Sequence, residues 1–196
     1  EIQSTDGYWI RATGEDTLIS TGIPLQGSDE VYPLHTGANL VSYPFEVSNG
    51  ISEALPNQYE EFITAIIGQG SAASQLPNGI WVGSLQILEK NNGYWLQSVA
   101  PFSMSFVEPQ GELARTTAIS KIEGFNQSSE QAFYFFKEIE NIEVGDIIYS
   151  YCNDIIVGGR EWIGEYTDVP AMGFDNEEYS INYCEANTIP IFKVNK

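Results

Sequence analysis

Asn92-Gly93-Tyr94-Trp95-Leu96 is the stretch that decides how this chain reads, because Asp6-Gly7-Tyr8-Trp9-Ile10 has already stated it once. In both, an Asx-Gly pair runs into Tyr-Trp-aliphatic. Asn and Asp tolerate positive φ and Gly accepts it freely, so the pair favours a tight turn, and the aromatic and aliphatic residues after it favour a strand. Each copy is followed by strand-like alternation and then by a proline, Pro24 and Pro109. The repetition predicts a repeated β unit, with the first copy as the tail of a preceding one.

Strand signals continue on either side of residues 92–96. Downstream, Phe102, Met104 and Phe106 share one face of a strand. Upstream, Ile80 to Leu88 reads as a strand with Gly83 as a bulge, and Val31 to Phe45 as two strands around a Thr-Gly turn. Tyr8 to Ile23 predicts two short strands around Gly14-Glu15-Asp16, and residues 26–30 a polar connector. One helical segment is expected near 51–67. Ser52 to Leu55 makes a turn stopped by Pro56, and Tyr59, Phe62, Ile63, Ile66 and Ile67 recur at helical spacing. The β-branched run there predicts a helix turning into a strand.

In the second half, Gln131 to Phe136 is apolar on both faces and predicts a central strand covered on each side. Gly145 to Trp162 predicts a hairpin around Asn153-Asp154. An acidic loop from Asp168 to Glu178 should follow, then strands over Tyr179 to Tyr183 and Ile189 to Val194. Strand signals at roughly 8- to 12-residue spacing indicate an all-β fold. The expected architecture is two β-sandwich-like modules with one short helical segment. They cover 1–110, with 1–26 as the tail of a preceding repeat, and 111–196.

The chain has 196 residues, and 27 acids against 8 bases give a net charge of −19. Phosphate binding needs a basic face, so nucleic acid and anionic membrane surfaces are poor partners. No run of about 18 apolar residues occurs, which excludes a membrane-spanning helix and with it membrane insertion. Such acidity suits salt water, where screening shortens repulsion to roughly 8 Å or less, or a surface that collects divalent cations. The chain opens on Glu1 without Met, as expected after removal of a signal peptide or for a piece of a longer chain. Cys152 and Cys184 are too few for a disulfide scaffold and lack metal-ligand spacing. Two readings stand for them: one disulfide in an oxidising compartment, or two buried free thiols.

Two sets of residues carry a resemblance. Gly37-Ala38-Asn39-Leu40-Val41-Ser42-Tyr43-Pro44, Ile51 to Leu55, Trp81 to Leu85 and Gly93 to Leu96 together resemble a β-sandwich module repeated in large secreted and cell-surface proteins of marine bacteria. Gln131 to Phe135, Gly145-Asp146, Val157 to Trp162 and Asp168 to Gly173 are similar to a companion module found beside it. The resemblance implies an extracellular or cell-surface, multi-module β protein without assigned activity, and it carries over no catalytic residue.

Enzyme signatures are nearly absent. A nucleophile–His arrangement would have to use the single histidine, His35, which sits one residue before a turn. No glycine-rich nucleotide loop, HExxH or CxxC pattern occurs, and a carboxylate pair for glycoside hydrolysis has no distinguishing motif. Asp175, Asn176 and Glu178, with Asp168 nearby, offer hard oxygen ligands at the close spacing that Ca²⁺ takes, set against a solvated acidic turn. Exposed aromatics stack on sugars, which makes Tyr8, Tyr94 and Trp81 candidates for glycan binding. Neighbours in a strand face opposite ways, so Tyr8 and Tyr94 are expected outside, and Trp9 and Trp95 inside. Arg160 and Trp162 share a strand face and are expected to stack.

The leading expectation is a non-enzymatic extracellular structural or adhesive subunit, a homo-oligomer or polymer joined by strand-edge pairing into a surface assembly or filament. A carbohydrate-binding module on surface glycans is the alternative. A carboxylate-pair hydrolase and a virion surface protein of similar build follow behind.

Overall fold

The computed structural model describes residues 3–10, 12, 14, 15, 17, 19, 29–110, 120 and 122–196. Much of the sequence expected as strands over 8–23 and as a connector over 26–30 lies outside the described residues, as does the start of the second expected module at 111. The fold is all-β, with several antiparallel sheets and two four-residue helices among the described residues.

The strands are β1 (Tyr32–Leu34), β2 (Gly37–Ser42), β3 (Asn49–Gly50), β4 (Ile63–Gly68), β5 (Ser71–Gln75), β6 (Trp81–Gly83), β7 (Ile87–Leu88), β8 (Gly93–Ser98), β9 (Phe102–Met104), β10 (Gln131–Phe136), β11 (Ile147–Cys152), β12 (Ile155–Glu161), β13 (Thr167–Met172) and β14 (Ile191–Asn195). The helices α1 (Ile51–Ala54) and α2 (Asn57–Glu60) lie between β3 and β4. Five strands form one sheet in the order β2-β8-β4-β5-β6, while β1 pairs with β9 and β3 with β7. Two compact units result. The first comprises Glu1–Gln69, Ser74–Trp81 and Leu85–Thr116; the second comprises Gly70–Ala73, Val82–Ser84 and Thr117–Lys196.

In the first unit β8 is an interior strand, antiparallel to β2 on one side and to β4 on the other. Its Tyr94 and Leu96 are buried with Val41 of β2 and with Ile63 and Ile66 of β4. Tyr32, Tyr43 and Phe106 pack edge to face, with ring centroids 5.1 and 5.6 Å apart. The helical spacing of the 59–67 stretch has a structural cause. The pairing of β4 with β8 shifts between Ile63 and Ala65, so an extra residue, Thr64, is inserted. Such a bulge breaks the two-residue period and lets Ile63 and Ile66, three apart, both face the core. Helix therefore stops at Glu60, and the β-branched run is strand.

The second unit packs the β10–β13 pair near a sheet of order β12-β11-β14. The hairpin of β11 and β12 turns on Asn153 and Asp154, both with positive φ (49° and 61°), the conformation a two-residue hairpin loop requires. Cys152, at the end of β11, is bonded to Cys184, which resolves the two readings in favour of the bridge. The strands approach closely at Gly158, where a Cβ would lie 1.9 Å from the Pro170 carbonyl oxygen, so no larger residue fits. The buried Ser150 hydroxyl donates to the same carbonyl at 2.7 Å.

Three expectations fail here. Gln131–Phe136 is partly buried and, among the described residues, is paired with β13 alone, so it is not a central strand. The acidic loop does not begin at Asp168; residues 167–172 form a fully buried strand, and Pro170 is tolerated there because its carbonyl, not a missing N–H, makes the contact. Tyr179 to Tyr183 is not a strand either: Glu178–Ser180 is a 3₁₀ turn organised by Asp175.

Candidate functional site

The outer edge of β2, opposite β8, is met by the N-terminal copy of the repeated motif. Gly7 N–H donates to the Leu40 carbonyl at 3.1 Å, and Ser42 N–H donates to the Thr5 carbonyl at 3.2 Å. These bonds frame a single antiparallel bridge between Asp6 and Val41. The Ser42 hydroxyl donates to the Ser4 carbonyl, and the Ser4 hydroxyl donates to Glu30 at 2.9 Å. The pairing ends with Gly7. Both copies of the motif thus run antiparallel to β2, and they lie close together: a Cβ on Gly93 would stand 3.4 Å from the Gly7 Cα.

Local chemistry repeats as well as sequence. The Tyr94 hydroxyl accepts from the Glu89 N–H at 2.9 Å, and the Tyr8 hydroxyl accepts from the Gln3 N–H at 2.8 Å, five residues back in each case. Their surroundings differ sharply. Tyr94 is 3% exposed and Leu96 0%, whereas Tyr8, Trp9 and Ile10 are 45%, 43% and 70% exposed.

A cleft of about 320 Å³ opens beside β2, with Thr5 and Asp6 on one wall and His35, Ala38, Leu40 and Trp95 on others. The start of β2 is held rigid by Asn39. Its amide oxygen accepts from His35 N–H at 2.8 Å, and its amide nitrogen donates to the His35 and Gly37 carbonyls at 2.8 and 3.0 Å. Tyr32 also lines the cleft; its hydroxyl is buried, and burial pushes its pKa up against the opposing pull of Ser42. His35 itself is exposed, with Nδ1 2.8 Å from the Thr36 carbonyl.

The glycan candidates separate. Tyr8 is exposed, Trp81 is half-buried with its indole N–H donated to Glu60 at 2.7 Å, and Tyr94 lies in the core. The expected sidedness is inverted: in β8 the tyrosine faces in and Trp95 stays half-exposed, because Tyr94 stands opposite Val41 on the core face. Tyr94 is therefore no sugar platform.

The metal candidates separate too. Asp168 is fully buried in the second unit, where its carboxylate accepts from Ser84 N–H (2.6 Å), the Ser84 hydroxyl (2.8 Å) and Arg160 (3.1 Å). Arg160 also donates to the Asp168 and Gly70 carbonyls at 3.0 and 2.6 Å, which commits the guanidinium to this cluster instead of to Trp162. Burial pushes the Asp168 pKa up against the pull of Arg160 and Ser84. Asp175 caps a turn: Ser180 and Tyr179 hydroxyls and the Ser129 and Glu177 N–H groups all donate to it. Partial burial raises its pKa, but the Ser180 and Tyr179 bonds outweigh that and hold it well below the ordinary carboxylate value. Asn176 and Glu178 are exposed beside it. Among the described residues no three acidic, His or Cys groups are arranged to hold a metal ion.

The sequence reading missed Tyr149 and Tyr151. Two residues apart in β11, they share a strand face with ring centroids 6.4 Å apart, and the Lys193 ammonium lies 4.5 Å from the Tyr151 centroid. The Tyr-Ser-Tyr-Cys alternation was the available signal, since its Ser150 and Cys152 are buried and its tyrosines are not. Gly159 stands opposite Tyr149, and a Cβ there would come within 3.1 Å of the ring. The chain matches no protein-family model, no curated protein and no solved structure. No helix among the described residues is long and apolar enough to cross a membrane.

Proposed function

We propose that this chain is a non-enzymatic extracellular structural or adhesive subunit that associates with copies of itself through strand edges. The observation carrying this reading is the contrast between the two motif copies. Tyr94 and Leu96 are in the core, whereas their counterparts Tyr8 and Ile10 lie exposed. Exposed aromatic and aliphatic residues in consecutive positions, next to a strand edge, are the features by which sheets recruit a further strand. Two other features fit. The Cys152–Cys184 bridge suits an oxidising compartment outside the cell. Strand β14 is the outer strand of its sheet, with Ile191 and the nearby Ile189 exposed. The resemblance to repeat modules of secreted and cell-surface proteins points the same way.

A net charge of −19 opposes association, and salt screens it. Sedimentation velocity and negative-stain electron microscopy at low and high salt test the proposal. Oligomers or filaments that grow with salt are expected; a monomer at high concentration in both conditions overturns it.

Glycan binding is favoured by a different observation, the Tyr149–Tyr151 pair with Lys193. Binding on a glycan array that Tyr151→Ala removes would support it, and an array without signal would dismiss it.

A further inference from the structure

We propose that the cleft beside β2 is a binding site for a compact organic ammonium ion, such as the side-chain amine of a lysine or the amine of an amino sugar. The site is separate from self-association. Residues 4–7 keep their place on the edge of β2, and Thr5 and Asp6 form one wall of the cleft.

Size and charge come first. At about 320 Å³ the cleft lies at the small end of the range that small-molecule sites occupy. Its formal charge has one sign. Asp6 lines it, no lysine or arginine does, and among the described residues no basic side chain pairs with the Asp6 carboxylate. The Thr5 hydroxyl reaches one Asp6 oxygen at 3.5 Å, the limit of a hydrogen bond, so most of the carboxylate's accepting capacity is left for a ligand. A net charge of −19 on the chain draws cations toward it and turns anions away before contact.

The neutral groups match that charge. His35 places Nδ1 2.8 Å from the Thr36 carbonyl, which can only accept, so in the neutral ring Nδ1 carries the proton and Nε2 is an acceptor. Backbone groups pointing out of β2 belong to alternate residues, Ser42, Leu40 and then Ala38, so the Ala38 carbonyl is a further acceptor. Asn39 bonds to His35 and Gly37 and holds both in place, so the site is formed before a ligand arrives. Trp95 is half-exposed and supplies an aromatic wall. Indole is the aromatic side chain that attracts cations best. Gln3 and Tyr32 also line the cleft, and both are neutral groups that donate or accept. Three acceptors beside an indole, one of them charged, fit a group that is positive and carries several N–H donors. A neutral sugar would use the acceptors but gain nothing from the charge.

Saturation-transfer NMR and isothermal titration at physiological salt test the site with two amines, Nα-acetyl-lysine amide and glucosamine. Each is set against a neutral counterpart, acetyl-norleucine amide and glucose. Expected is binding of an amine and not of its counterpart; the lysine derivative alone would name a protein side chain as the source, and glucosamine alone a glycan. Asp6→Asn should weaken binding roughly tenfold or more, since a hydrogen bond to a charged group is lost. Trp95→Leu should weaken it about threefold or more. Glu165→Gln removes an exposed acid from the second unit and should leave binding unchanged. Urea midpoints close to the parent's check that the variants fold; should Trp95→Leu unfold, Asp6→Asn against Glu165→Gln decides alone. Equal weakening by Glu165→Gln would mean attraction to the overall charge only and overturn the proposal. Equal binding of glucose and glucosamine would make the cleft a neutral-sugar site and overturn the ammonium assignment. Binding of neither amine overturns the site itself.

Discussion

Residues 6–10 and 92–96 share their residue pattern, their antiparallel course along β2 and their tyrosine hydrogen bond to a backbone N–H five residues back. They differ in what surrounds them. The second copy has a strand on each side and its apolar residues are in the core; the first touches β2 at one bridge and leaves Tyr8, Trp9 and Ile10 exposed. The difference teaches that local sequence sets the turn and the tyrosine bond, whereas burial depends on how many neighbouring strands are present.

The sharpest way to break this comparison is truncation at matching positions. Leu96→Ala should cost about 2–5 kcal/mol, because it leaves a cavity in a closed core. Ile10→Ala should stay within about 0.5 kcal/mol of the parent as a monomer. Urea unfolding of both variants measures it. A large loss at Ile10 would mean the first copy is already buried in the free chain.

Next in size are the tyrosine hydroxyls. Tyr94→Phe leaves the Glu89 N–H without its acceptor and should cost about 1–3 kcal/mol, while Tyr8→Phe, breaking the equivalent exposed bond, should cost a few tenths at most. Burial raises the Tyr94 pKa above its ordinary 10. The unfolded chain therefore loses its proton first as pH rises, so stability from this group is full below pH 10 and falls above it. Tyr94→Phe should reduce the loss of stability seen above pH 10, followed by unfolding midpoints between pH 9 and pH 11. An unchanged alkaline slope would count against a buried Tyr94.

The smallest effect separates the two glycines. A Cβ on Gly7 would lie 2.8 Å from the Leu40 side chain and 2.9 Å from the Val41 carbonyl oxygen, closer than a Cβ can come, whereas on Gly93 its nearest neighbour, the Gly7 Cα, is at 3.4 Å, an ordinary contact. Gly7→Ala should lift the first copy off β2, seen as faster exchange of the Ser42 amide with little change in global stability. Gly93→Ala should leave that amide protected. Equal behaviour of the two would remove the distinction between a marginal and an established pairing.

Away from the repeat, Asp175 supplies a pH test of the second unit. Its folded pKa lies below the ordinary 3.8, so its contribution is present above that pH and is lost as pH falls toward the folded value. The stability difference between the parent and Asp175→Asn should therefore shrink between pH 5 and pH 3, read from urea midpoints. A difference that stays constant would show that the carboxylate charge is not what the turn uses.

Much of the fold was legible because its signals are local. Alternation and turn residues marked β2, β8, β11 and β12, and Asn153-Asp154 took the positive φ values that its position between two strands implied. The failures came where a residue's role depends on a distant neighbour. Helical spacing at Ile63 and Ile66 was a bulge against β8, and Asp168 looked like a solvated ligand until Arg160 and Ser84 were placed beside it. Which member of Tyr94-Trp95 faces inward was also undecidable, since alternation gives two faces but not which of them is covered.

By itself, then, the sequence determined an all-β chain, its main hairpin and its extreme acidity, because strand period, turn chemistry and charge are properties of neighbouring residues; the repeated motif it carries forms a strand at 93–98 and only a single bridge at Asp6. Tertiary structure alone decided that Cys152 meets Cys184, that Asp168 is sealed in the second unit, and that one copy of the motif is core and the other exposed. Those outcomes depend on which segments come together across dozens of residues, and burial is created by that assembly, not by the strand that is buried.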